Sequence, residues 1–230
     1  VRLRLYALQC ATPARPARAE LRVGGTPMIA YYTDILRWRF AAELAEESAA
    51  FGLSAPGDEA AFAGLRQQLQ TNNQALLWFA PRGLGLAAWS GDARKQTQIR
   101  RRFMLLGQTL DGMRVWDIRR ALQALQARDE WRGLPLVLSA EESLACDTLY
   151  ATLFEPGVTQ LDLHRLPASH HAGPDYLNVL RILDVPQAVA LALDRCPVRL
   201  YQADPGAWTY PAQVNTAVGR DKDRFKAEPQ

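Results

Sequence analysis

Apolar and polar residues alternate from Val1 to Gln9, the period expected of a half-buried strand. Ala11 to Glu20, rich in alanine and proline, reads as a loop. From Pro27 to Phe51 the pattern changes to a helical one, with Ile29, Tyr32, Leu36, Phe40 and Leu44 forming the apolar stripe. Asp58 to Gln70 predicts a second helix. Ala75 to Ala80 (Ala-Leu-Leu-Trp-Phe-Ala) is an uninterrupted apolar run of strand length, which suits a parallel strand buried on both faces. Gln96 to Arg128 predicts a long helical region with a break near Gly107 or Gly112. Within it Val115, Ile118, Leu122 and Leu125 share one face. Leu134 to Leu138, Val158 to Leu163 and Val198 to Gln202 read as strands. Glu141 to Phe154 and Pro174 to Arg195 read as helices, the latter interrupted near Pro186.

This alternation predicts an α/β fold with a mostly parallel sheet flanked by helices on both faces. Sites in such sheets sit at the carboxyl ends of the strands. One domain is expected over residues 1–218, and residues 219–230, charged and without apolar periodicity, read as a flexible tail. Residues 27–70 form a helical segment dense in aromatics (Tyr31, Tyr32, Trp38, Phe40), suited to a lid, an interface or a core layer.

Composition narrows the chemistry. The 230 residues are 48% hydrophobic and 22% charged, enough for a true core. A net charge of +3 is too small to indicate a nucleic-acid partner. Cys10, Cys146 and Cys196 are far apart, and only three histidines are present (His164, His170, His171), so no metal site and no cofactor is expected. No apolar run is long enough to span a membrane. The chain opens at Val1 already in strand-like alternation, which predicts a fragment or mature form of something longer and leaves the compartment unread.

Three segments in order carry a resemblance. They are Phe79-Ala80-Pro81-Arg82-Gly83-Leu84-Gly85, then Leu110 to Leu122, then Asp184-Val185-Pro186-Gln187-Ala188 leading to Cys196-Pro197-Val198-Arg199-Leu200. Together they resemble the α/β-hydrolase superfamily, in particular bacterial esterases of the acetyl-xylan-esterase and prolyl-oligopeptidase-like kind. The resemblance implies ester hydrolysis, with a small ester or carbohydrate ester as substrate.

It also exposes departures. The family's nucleophile sits in a Gly-x-Ser-x-Gly elbow. The matching junction here reads Leu138-Ser139-Ala140-Glu141-Glu142-Ser143-Leu144-Ala145, with Glu141 or Glu142 in the nucleophile slot and Ser143 next to it. Asp204 follows the strand that carries the family's acid. The family's base is a histidine on a later strand, and no histidine follows His171. The candidate catalytic set is therefore Ser143, Asp204 and His170, with Glu142 as an alternative nucleophile position. The base is otherwise left to a partner chain or a missing segment.

Each candidate has a plainer role. Ser143, Glu141 and Glu142 suit a first helical turn. Asp204 before Pro205-Gly206 suits a turn. His170 and His171 suit an exposed loop, and Asp162 inside its strand is open between the two kinds of role. Arg94-Lys95 and Arg100-Arg101-Arg102 either grip an anion or form the wet face of a helix, with Phe103 and Leu106 turned inward. The competing function is a non-catalytic hydrolase-like domain serving binding or assembly.

Overall fold

A computed structural model describes residues 2–12, 15–89, 91–202 and 204–229. It divides into two compact units, Val1–Trp89 and Ser90–Gln230. The strands belong to a seven-stranded, mostly parallel sheet.

The first unit runs β1 (Leu5–Leu8), β2 (Arg18–Val23), α1 (Thr26–Leu36), α2 (Ala45–Ala50), α3 (Glu59–Thr71) and β3 (Gln74–Phe79). β3 lies between the other two strands, parallel to β2 and antiparallel to β1. Every residue of β3 is buried: Ala75 to Phe79 as the unbroken apolar run predicts, and Gln74 ahead of that run. β2 begins inside the stretch that composition reads as a loop. The cause is visible in Arg18-Ala19-Glu20-Leu21-Arg22-Val23, where Ala19, Leu21 and Val23 are buried and the polar residues between them are not.

The predicted helix over Pro27 to Phe51 is two helices joined by turns. Its stripe nevertheless does what its spacing implies. Ile29, Tyr32, Leu36 and Leu44 form a core with Leu69, Leu76 and Trp78. Tyr6 stacks on Trp78 with ring centroids 5.3 Å apart. Tyr31 and Trp38 remain exposed.

The second unit runs α4 (Ala93–Leu105), α5 (Leu110–Ala127), β4 (Leu136–Glu141), α6 (Glu142–Phe154), β5 (Val158–His164), α7 (Val185–Ala192), β6 (Val198–Gln202), α8 (Thr209–Ala217) and β7 (Phe225–Pro229). Its strands pair in the order β4-β5-β6-β7, all parallel. α6 packs against α5 and α7, and Leu144, Ala145, Cys146, Leu149 and Ala151 along it are buried.

The break in the long helical region falls at Gly107, which takes φ +70°. Gly112 instead lies in the first turn of α5, where its N–H donates to the capping Thr109 hydroxyl at 2.9 Å. Pro186 starts α7 rather than interrupting a helix. It sits in the first turn, where no intrahelical N–H is needed, and Asp184 and Gln187 form a capping box. The stretch expected to fray contains β7, whose backbone pairs with β6 from Val198↔Phe225 to Gln202↔Pro229. Phe225, Lys226, Ala227 and Glu228 are half-buried there, beneath α8.

Gly57 is fixed by space rather than by φ. A Cβ there would stand 2.3 Å from the backbone nitrogen of Trp38 and 2.8 Å from its Cα. Neither atom can rotate away. Gly57→Ala should therefore destabilise the first unit by about 1–3 kcal/mol in urea melts. An unchanged midpoint would show that this turn yields freely.

Candidate functional site at the carboxyl ends of β4, β5 and β6

β4 passes into α6 with no intervening loop. Glu141 is extended, at φ −128° and ψ 149°, and Glu142 already opens the helix. The reversal is taken up by one residue, Glu142, at φ +54°. A side chain in this left-handed region costs about 1–2 kcal/mol, so the turn persists because its surroundings enforce it. The burial of α6 along its length supplies that enforcement. A strained strand-to-helix residue is also the backbone feature that presents a nucleophile in Gly-x-Ser-x-Gly elbows. The strained residue here is a glutamate.

Glu142 is not alone. Arg165, which follows β5 and itself takes φ +47°, forms ion pairs with both Glu141 and Glu142, its Nε lying 3.3 Å from Glu142 Oε1. The Arg165 backbone N–H donates to the Tyr201 carbonyl at 2.9 Å, holding the residue at the sheet edge. Hydrogen bonding to Glu141 and the charge of that carboxylate raise the guanidinium's pKa further. Parallel register aligns Glu141 with His164, and His164 with Tyr201, placing the three on one face of adjacent strands. The His164 and Tyr201 rings stack at 4.4 Å with an interplanar angle of 11°.

The sequence-predicted residues are distributed as follows. Ser143 is the second residue of α6 and is exposed. Asp204 is exposed and accepts from the Gly206 N–H at 3.0 Å, the turn role open to it. Asp162 accepts from the Gln160 side-chain amide at 2.7 Å. His171 is exposed, its backbone N–H donating to Ser169 Oγ. His170 is buried, at 8% exposure, unlike the open loop pair its sequence context suggests. Among the described residues, no hydrogen bond links Ser143, Asp204 and His170 to one another.

His170 belongs instead to a buried network beside α6. Its Nδ1 lies 3.1 Å from the Pro174 carbonyl, which can only accept, so Nδ1 carries a proton. In the neutral ring Nε2 then accepts from the Tyr150 hydroxyl at 2.9 Å. The His170 backbone N–H donates to Asp184 at 2.8 Å, and Ser169 Oγ donates to the same carboxylate at 2.6 Å. Burial pushes Asp184 up, but Ser169 and the His170 and Val185 N–H groups outweigh it and hold the carboxyl below its ordinary range. Asp147 behaves oppositely. It is fully buried on α6, accepts from the Tyr176 hydroxyl, and its Oδ2 has no hydrogen-bond partner. Burial first, and the nearby Asp111 charge second, raise its pKa well above the carboxylate range.

His164, Arg165 and Tyr201 escape a motif search because no motif contains them. A signal was present: each stands at or just past the carboxyl end of a strand, where sites gather. Tyr150 and Asp147 carried no such signal, since their burial depends on the loop over residues 165–184 folding back on α6. Among the described residues no three His, Cys, Asp or Glu side chains converge as metal ligands. The three cysteines are free thiols, and burial pushes Cys196 up to about 12.

No family model matches the sequence, and no curated protein matches it by sequence. Solved structures do match in fold. A protein assigned as an acetyl xylan esterase from Bacteroides fragilis superposes with a TM-score of 0.64 at 14% identity, over 98% of this chain and 61% of its own. A glucuronoyl esterase from Solibacter usitatus gives a TM-score of 0.59 at 14% identity, over 99% of this chain and 72% of its own. A dienelactone hydrolase from Klebsiella pneumoniae gives 0.55 at 11% identity, over 99% of this chain and 80% of its own. The fold is thus of α/β-hydrolase type, and this chain spans about three fifths of the Bacteroides protein's length.

The buried carboxyl makes a pH-dependent prediction. A group whose folded pKa is raised contributes fully below its unfolded pKa and loses that contribution as pH rises. Asp147→Asn keeps an acceptor for Tyr176 and cannot ionise. Its stability relative to the parent should therefore rise with pH above about 4, by up to about 1.4 kcal/mol per pH unit, in urea melts. A difference independent of pH would mean that Asp147 is charged in the fold.

Proposed function

We propose that this chain is a hydrolase-fold domain that binds carbohydrate at the carboxyl edge of β4, β5 and β6 and forms no serine acyl-enzyme. The observation that carries this is Glu142 at φ +54°, ion-paired with Arg165 at the elbow. A nucleophilic hydroxyl needs a base to take its proton and donors to receive the oxyanion. Glu142 is not that hydroxyl, and its carboxylate and the Arg165 guanidinium are committed to each other rather than to Ser143. The pair does offer acceptor oxygens beside a cation, the groups that sugar hydroxyls use. The stacked His164–Tyr201 pair adds an aromatic surface for the C–H face of a sugar ring. That two fold neighbours are named for acetyl xylan and glucuronoyl ester cleavage supports the carbohydrate class by analogy.

A second reading is favoured by the fold likeness itself: ester hydrolysis by Ser143 with Asp204 as acid. His170, or a group outside the described residues, would then serve as base. A carboxylate nucleophile at Glu142 is a variant of that reading, and it requires Arg165 to release the side chain.

Two measurements separate these readings. Purified protein should hydrolyse nitrophenyl acetate and butyrate no faster than buffer, and Ser143→Ala and Glu142→Gln should not differ from it. Titration with xylo-oligosaccharides should shift the NMR signals of Tyr201, and Tyr201→Ala should weaken binding by about two- to tenfold, the scale of one lost aromatic contact. Turnover abolished by Ser143→Ala would overturn the proposal in favour of a serine mechanism.

A further inference from the structure

α4 carries five basic residues and no acidic one: Arg94, Lys95, Arg100, Arg101 and Arg102. None of its residues is buried. Ile99 and Phe103 are half-buried and mark the inward side. Residues Arg94, Gln98, Arg101 and Leu105, at spacings of four, three and four, line up on the opposite side, with Arg102 next to them. Arg100 is neutralised by Asp175. The other four cations have no acidic partner among the described residues.

The helix ends in exposed leucines. Leu105 is 86% exposed and Leu106, which the sequence pattern turns inward, is 75% exposed. A second apolar group follows a residue that is tied to α4. Residue 175 is held to α4 through Arg100 and to the start of α5 through a 2.9 Å bond from its N–H to Asp111. These two anchors bracket Leu105 and Leu106. The segment that follows residue 175 exposes Leu177, Leu180 and Ile182, the last to 84%. Leu105, Leu106 and Ile182, each at least three-quarters exposed, stand out from the surface rather than lining a groove. They suit insertion into a soft apolar phase better than a fit into a folded partner's pocket. The cations beside them supply the sign.

We infer that α4 and the segment of residues 177–182 dock this protein on an anionic lipid bilayer, with the leucines at the depth of the first acyl carbons and the arginines among the headgroups. The arrangement is that of an interfacial helix: a basic face, an apolar carboxyl end, and no length to span. It is independent of the carbohydrate reading, since none of these residues belongs to the elbow.

The test is co-sedimentation of the whole chain with vesicles of phosphatidylcholine alone or with about 30% phosphatidylserine. The protein should pellet with the anionic vesicles only, and less so as salt rises. Each cation near such a surface strengthens binding about fivefold, so Arg101→Glu with Arg102→Glu should weaken it about 25-fold or more. Leu105→Ser with Leu106→Ser should weaken it about tenfold or more. These side chains are exposed, so an unchanged circular dichroism spectrum will show that the variants are folded. Equal partition onto both vesicle types, binding to neither, or charge-reversed protein that binds as the parent does would overturn the inference. Capture by heparin without vesicle binding would overturn the lipid assignment as well.

Discussion

The second unit depends on one backbone reversal. β4 must hand the chain to α6 within a single residue, because the strand is paired up to Glu141 and the helix is buried from Leu144 onward. No loop can be inserted without withdrawing Ala145, Cys146 and Leu149 from the core. The strain therefore falls on Glu142, and packing, not local preference, keeps it there. In hydrolase-type folds such a turn is the place where chemistry is mounted. Here the same turn carries a carboxylate, and the neighbouring strand contributes Arg165 to hold it.

A carboxylate at that turn sets what the edge offers under the proposed reading. A serine at the turn would be a reagent. A glutamate paired with an arginine is a fixed, exposed dipole flanked by the His164–Tyr201 stack. Below it, α6 closes a second polar network through Tyr150, Tyr176 and Asp147, in which the imidazole of His170 has both nitrogens committed. Position decides the state of each carboxyl. Asp184 collects three hydrogen-bond donors and stays charged, whereas Asp147 has one donor in full burial and is pushed toward neutrality.

Much of this was legible in the sequence. The continuous run of β3 and the strands β4, β5 and β6 follow from apolar patterning, and the junction before Ser143 was identified as the place where nucleophile geometry should occur. What patterning misses are elements that others support. β7 is ordered by the backbone of β6, and β2 hides its alternation behind a proline-rich approach. Leu106 looks like a core residue by composition yet lies past the helix end, where no face is left to cover it. The candidate site was legible only in part. Spacing drew attention to Glu141 and Glu142 at the junction of β4 and α6 and to Asp204, which takes the turn role instead. Arg165, His164 and Tyr201 come together only through strand register, which no single segment encodes.

The central proposal is that the elbow carries no activated hydroxyl, and the most direct test is covalent. Incubation with a fluorophosphonate, followed by intact-mass measurement, reads any serine made nucleophilic by its surroundings. The account predicts an unmodified mass, with Ser143 no more reactive than other exposed hydroxyls. A single stoichiometric adduct mapped to Ser143 would contradict it and favour a serine mechanism.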